Sequence, residues 1–139
     1  MEETITATWM ENMAFEADIF GHKIVLDAAP EVGGQNKGPK PKPMMLVSLA
    51  GCTAMDVISI LRKMRVDVKD FKVTVSGLET EEHPKYYHKM HVTYEFTGKD
   101  LPMDKLQKAV NLSEERYCGV SAVYKKVIDV TSEIIVHQS

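Results

Sequence analysis

Apolar residues recur at steps of three and four between Pro43 and Arg65: Leu46, Leu49, Thr53, Val57, Ile60 and Met64. That spacing keeps one stripe of a helix against a core and predicts a helix about 35 Å long, at ~1.5 Å per residue. Pro43 suits its first turn, where the missing N–H would have no partner. Met45, Met55 and Ile58 are apolar and lie off the stripe, as expected of a helix covered on more than one side. At ~100° per residue, Cys52 falls roughly 100° from the stripe, on a mixed flank with Met45, Ser48, Asp56 and Ser59.

Elsewhere the pattern is mostly that of strands. Thr4 to Met10, Met13 to Phe20 and Lys23 to Asp27 read as a three-stranded meander, with turns at Glu11-Asn12 and Gly21-His22. Ala29 to Lys42 holds three prolines and three glycines and is expected to be a loop, running over the surface or the mouth of a site. Phe71 to Leu78 alternates apolar and polar residues, and Tyr86 to Thr97 alternates again, with Tyr86, His88, Met90, Val92, Tyr94 and Phe96 on one face. Pro102 and Asp104 open a second helix whose core side carries Leu106, Val110 and Tyr117. Cys118-Gly119 interrupts it, Val120 to Lys125 forms further helical turns, and Val127 to Val136 closes the chain as a strand.

The resulting order, βββ-α-ββ-αα-β, predicts an α+β fold of antiparallel sheets packed on a long central helix. At 139 residues the chain is the size of one domain, 1–139. The central helix offers two apolar surfaces, and a second copy covering one of them implies a two-fold homodimer.

Charge narrows the partners. With 17 basic and 20 acidic residues interspersed, net −3, the chain is expected to bind neither nucleic acid nor an anionic membrane. Its apolar stretches are expected to be broken by charges before the ~20 residues a span needs, and the acidic start MEETITATW lacks the features of an export signal, which points to the cytoplasm. Cys52 and Cys118 stand far apart with no CxxC or Cys/His cluster, so they are either buried small side chains or a redox couple. His83, His88 and His91 do not suggest a metal site, since His88 and His91 fall on opposite faces of a strand. The tyrosines at 86, 87, 94 and 117 are core aromatics or the lining of an apolar pocket.

The segment KPMMLVSLAGCTAMDV resembles the proline-led cysteine helix of the OsmC and Ohr hydroperoxide-reductase superfamily, and ERYCGVSAVYKK resembles that superfamily's second cysteine segment, closest to its YhfA-like branch. The resemblance extends along the whole chain and implies an intertwined α+β homodimer. It also implies a peroxidatic Cys52 that becomes a sulfenic acid and a resolving Cys118 that condenses with it, reduced by an external dithiol with no bound cofactor. Organic or hydrogen peroxide would be the substrate, in a stress response. In the better-studied branches a glutamate of the helix lead-in holds an activating arginine. Here Lys42, Pro43 and Met44 occupy the lead-in, and the arginines are Arg62, Arg65 and Arg116, outside the N-terminal strands. The alternative is therefore a protein of the same fold that holds a small apolar ligand at the dimer interface without peroxidase activity.

A thiol with a pKa near ~8.5 needs a cation or a helix N-terminus to ionise at neutral pH. Asp56, one turn below Cys52, opposes ionisation there, whereas Arg116 and the start of the last helix favour it at Cys118. On that reasoning alkylation labels Cys118 faster than Cys52.

Overall fold

The computed structural model describes residues 1–139. Its elements follow the expected order: β1 (Thr6–Trp9), β2 (Phe15–Ile19), β3 (His22–Leu26), α1 (Met44–Lys63), β4 (Asp70–Glu79), β5 (Tyr87–Gly98), α2 (Met103–Leu112), α3 (Gly119–Tyr124) and β6 (Asp129–Gln138). The chain forms two compact units, Met1–Met45 and Leu46–Ser139.

In the first unit β1, β2 and β3 make an antiparallel sheet in that order. Between β2 and β3 the chain reverses at Phe20 and Gly21, with φ of 50° and 91°, one residue earlier than expected. Two positive φ values match the right-handed twist of a hairpin, and Gly21 takes its own without strain while Phe20 does not. The loop after β3 is held back against it by Asp27, which is 3% exposed. Its carboxylate accepts N–H groups of Ala28 at 2.7 Å, Gln35 at 3.1 Å and Lys37 at 3.1 Å, and its own N–H donates to the Pro39 carbonyl at 3.1 Å. These N–H donors, Lys37 first, hold the carboxyl below the usual aspartate range. Ala14 and Ala17 are the buried apolar residues of this unit, while Trp9, Phe15 and Phe20 are exposed at 63%, 40% and 66%. Its sheet thus has an open apolar surface.

The second unit is built on the sheet β4-β5-β6, with β5 in the middle. β4 pairs antiparallel to β5, but β6 lies parallel to it, from Lys89 opposite Asp129 to Gly98 opposite Gln138. The expectation of antiparallel strands throughout fails at β6 because α2 and α3 carry the chain back to the end of the sheet where β5 began, as a parallel neighbour requires. Along β5 the buried residues are Tyr87, Met90, Val92, Tyr94, Phe96 and Gly98. Met90 onward agrees with the expected face; Tyr86 and His88 do not. The register slips by one between Leu78 and Glu79, which face Lys89 and Tyr87, so His88 is the extra residue of a bulge and the inward face passes to Tyr87.

In α1 the buried residues are Leu49, Thr53, Val57 and Leu61. They keep to a single i, i+4 ridge, so Leu61 is buried where Ile60 was expected, and Leu46, Ile60 and Met64 are half-buried. Thr53 satisfies its hydroxyl within the helix by donating to the Leu49 carbonyl at 2.8 Å. With Asp56 its one charge before Arg62, α1 is long and apolar enough to cross a membrane by length and composition alone, contrary to the expectation that charges break every such stretch. Four of its residues are buried, on one ridge, while Val47 and Met55 on other faces are exposed at 57% and 76%.

α2 buries Leu106, Ala109 and Val110. It runs into a wide turn over Ser113–Tyr117, closed by the Cys118 N–H on the Ser113 carbonyl at 2.8 Å. Five residues in that turn rotate the pattern, and Tyr117, expected on the core side, is 56% exposed.

Candidate active site

Cys52 lies midway along α1, one turn before Asp56 on the same flank, which is the i, i+4 relation read from sequence. Cys118 ends the wide turn and caps α3, its sulfur accepting the Ser121 N–H at 3.3 Å. The fold brings these elements together: the thiols of Cys52 and Cys118 and a carboxylate oxygen of Asp56 all lie within 4.8 Å of one another. Both sequence-predicted site residues are therefore in one place, and His83, His88 and His91 are not part of it. The ring of His91 is engaged on the sheet instead, with Thr131 at 2.7 Å and Glu133 at 3.1 Å.

The two thiols differ in access. Cys52 is half-buried, whereas Cys118 is 2% exposed. Burial, followed by the neighbouring Cys52 thiol, pushes Cys118 up to about 11, against the backbone N–H groups of Ser121 and Val120 that favour its thiolate. The expectation of a reactive Cys118 is thus overturned. Its place at the start of α3 is as read, but α3 has only six residues and desolvation outweighs its N–H groups. Arg116 is not among the groups that shift this thiol; its guanidinium stands 5.8 Å from the ring of exposed Tyr117.

Side chains not singled out beforehand hold the site in shape. Ser113, fully buried, donates its hydroxyl to Asp56 Oδ2 at 3.0 Å and so ties the wide turn to α1. Glu114 accepts the Tyr94 hydroxyl at 2.9 Å and the Ser132 hydroxyl at 3.4 Å, while its carbonyl accepts Lys125 Nζ at 2.9 Å. Burial, then Glu114, raises Tyr94 above the ordinary phenol range. The wide turn that delivers Cys118 is thereby anchored to α1, β5, β6 and the end of α3. Asp56 was legible as a neighbour of Cys52. Ser113 and Glu114 were not, because no local pattern announces partners 57 and 20 residues away.

The chain belongs to the OsmC-like protein family, whose model matches residues 34–133. It is 35% identical over 124 residues to Protein YhfA of Escherichia coli strain K12, covering 88% of this chain and 90% of that protein. A hypothetical protein from Aquifex aeolicus VF5 has a crystal structure similar to this one with a TM-score of 0.87 and 30% identity, covering 100% of this chain and 99% of that one. An organic hydroperoxide resistance protein OsmC from Legionella pneumophila, described as a predicted redox protein, shares the fold with a TM-score of 0.71 and 16% identity, over 95% of each chain. The α+β architecture is that of OsmC-fold proteins.

Proposed function

We propose that this protein is a thiol-dependent hydroperoxide reductase in which Cys52 is oxidised first and Cys118 resolves it. The observation that carries the reading is the pairing of a half-buried thiol with a buried one, their sulfurs no more than 4.8 Å apart. The thiolate of Cys52 attacks one oxygen of the peroxide, the O–O bond breaks, and an alcohol or water leaves after taking up a proton. The Cys118 sulfur then attacks the sulfenic sulfur, expelling water and forming a disulfide, which an external dithiol reduces by exchange. Closing from 4.8 Å to the ~2.05 Å of an S–S bond needs a shift of under about 3 Å. Burial of Cys118 keeps it reduced until its partner has reacted. Family membership and the hydroperoxide-resistance protein of the same fold support a redox role. A homodimer acting in the cytoplasm completes the proposal, a second copy covering the open apolar surface of the first unit.

The test is a single turnover. Reduced protein is mixed with a slight excess of cumene hydroperoxide and followed by free-thiol count and intact mass. Rapid loss of both thiols with a product two hydrogens lighter is expected, with Cys118→Ser stopping at a species one oxygen heavier and Cys52→Ser inert. Thiols that persist at the rate of an ordinary cysteine would discard the peroxidase and leave the ligand-binding alternative. Solution mass tests the dimer, and a monomer at micromolar concentration would remove it.

A further inference from the structure

We infer that the reduced Cys52, Asp56 and Cys118 cluster is also a binding site for one zinc-class divalent cation. A tetrahedral centre with Zn–S near 2.3 Å and Zn–O near 2.1 Å places its sulfur ligands about 3.8 Å apart and sulfur from oxygen about 3.6 Å apart. The three ligand atoms here lie within 4.8 Å of one another, so adjustments of at most about 1.2 Å close the set. The donors arrive on two rigid supports: Cys52 and Asp56 one turn apart on α1, Cys118 at the head of α3. Ser113 donates to Asp56 Oδ2 at 3.0 Å, the kind of outer hydrogen bond that orients a ligating carboxylate.

Two sulfurs and one carboxylate oxygen select a borderline-soft ion such as Zn²⁺ over Mg²⁺ or Ca²⁺, which take oxygen ligands. Binding converts both thiols to thiolates and releases two protons, leaving a three-ligand centre whose fourth position is open to water. The site is independent of the peroxidase reading, because it needs the thiols reduced and close together but no reaction with peroxide. It assigns Asp56 a role that a two-cysteine redox couple does not require. The same three groups would exist in two exclusive states, metal-bound when reduced and metal-free when the sulfurs are joined.

Reduced protein is titrated with Co²⁺ anaerobically and with Zn²⁺ in competition with a chromophoric chelator. One ion per chain is expected, with thiolate-to-cobalt charge-transfer bands and the strong visible absorption of a four-coordinate centre. Cys52→Ser and Cys118→Ser should each weaken binding at least 100-fold, and Asp56→Asn and Ser113→Ala by about 10- to 100-fold and about tenfold. Wild-type protein oxidised with diamide controls for fold without any substitution, and should lose the ion and regain it on reduction. A six-coordinate cobalt spectrum without thiolate bands, or an Asp56→Asn variant that binds as tightly as wild type, would overturn the inference.

Discussion

Cys118 should be nearly inert to alkylation in the native protein. Its thiol is 2% exposed, and burial pushes it above the ordinary thiol range, up to about 11. A rise of that size means at least about 100-fold less thiolate near neutral pH than an unperturbed thiol carries, and thiolate is the reacting form. Shielding of the sulfur from the reagent slows the reaction further. Labelling reduced wild-type protein with iodoacetamide over a pH series, with peptide masses read at each time and glutathione as reference, should therefore show Cys118 at least about 100-fold slower than the reference. Its rate should climb about tenfold per pH unit until near its own pKa. In Cys52→Ser, loss of the neighbouring thiol should lower that midpoint without restoring the ordinary thiol value, because burial is the larger cause. Labelling of Cys118 at the glutathione rate, in protein whose near-ultraviolet circular dichroism is native, would refute the reasoning.

Other consequences can be measured separately. Phe20→Asn should stabilise the first unit by about 1 kcal/mol in urea unfolding, because Asn tolerates the left-handed φ of 50° and Asn-Gly is the favoured pair for this hairpin; an unchanged midpoint would show that no strain is stored there. Asp27 has a depressed folded-state pKa, so its contribution to stability is complete above the ordinary ~3.9 and is lost as pH falls through the lower value. The amide resonances of Gln35 and Lys37 should titrate with a midpoint below that of a free aspartate and cease to do so in Asp27→Asn; a midpoint at or above it would contradict the assignment. Tyr94→Phe should cost about 1–2 kcal/mol by leaving Glu114 without its 2.9 Å donor. A neutral Tyr94→Phe would mean that water serves Glu114 equally well.

Local periodicity carried the element order and the location of both cysteines, since a helix or strand writes its buried face into steps of four or two. It failed where tertiary contacts alter the phase. At His88 one bulged residue transferred the inward position to Tyr87, and over Ser113–Tyr117 a five-residue turn moved Tyr117 outward. The direction of β6 was out of reach because alternation along a strand is the same whether its neighbour runs with it or against it. At the site, the position of Cys118 at a helix start was legible while its desolvation was not. Burial depends on what other elements place over a residue, and here it works against the reactivity expected of Cys118.

The parallel pairing of β5 with β6 sets an order of events during synthesis. Each paired residue on β6 is made 40 positions after its partner, as Met90 opposite Val130 shows, and Cys118 lies in the segment between. While the last strand is still inside the ribosome the sheet has an unfilled edge and the turn carrying Cys118 lacks its anchor on Ser132. A chain cut short before β6 holds both cysteines but lacks one anchor of the turn that carries Cys118, the Ser132 hydroxyl on Glu114.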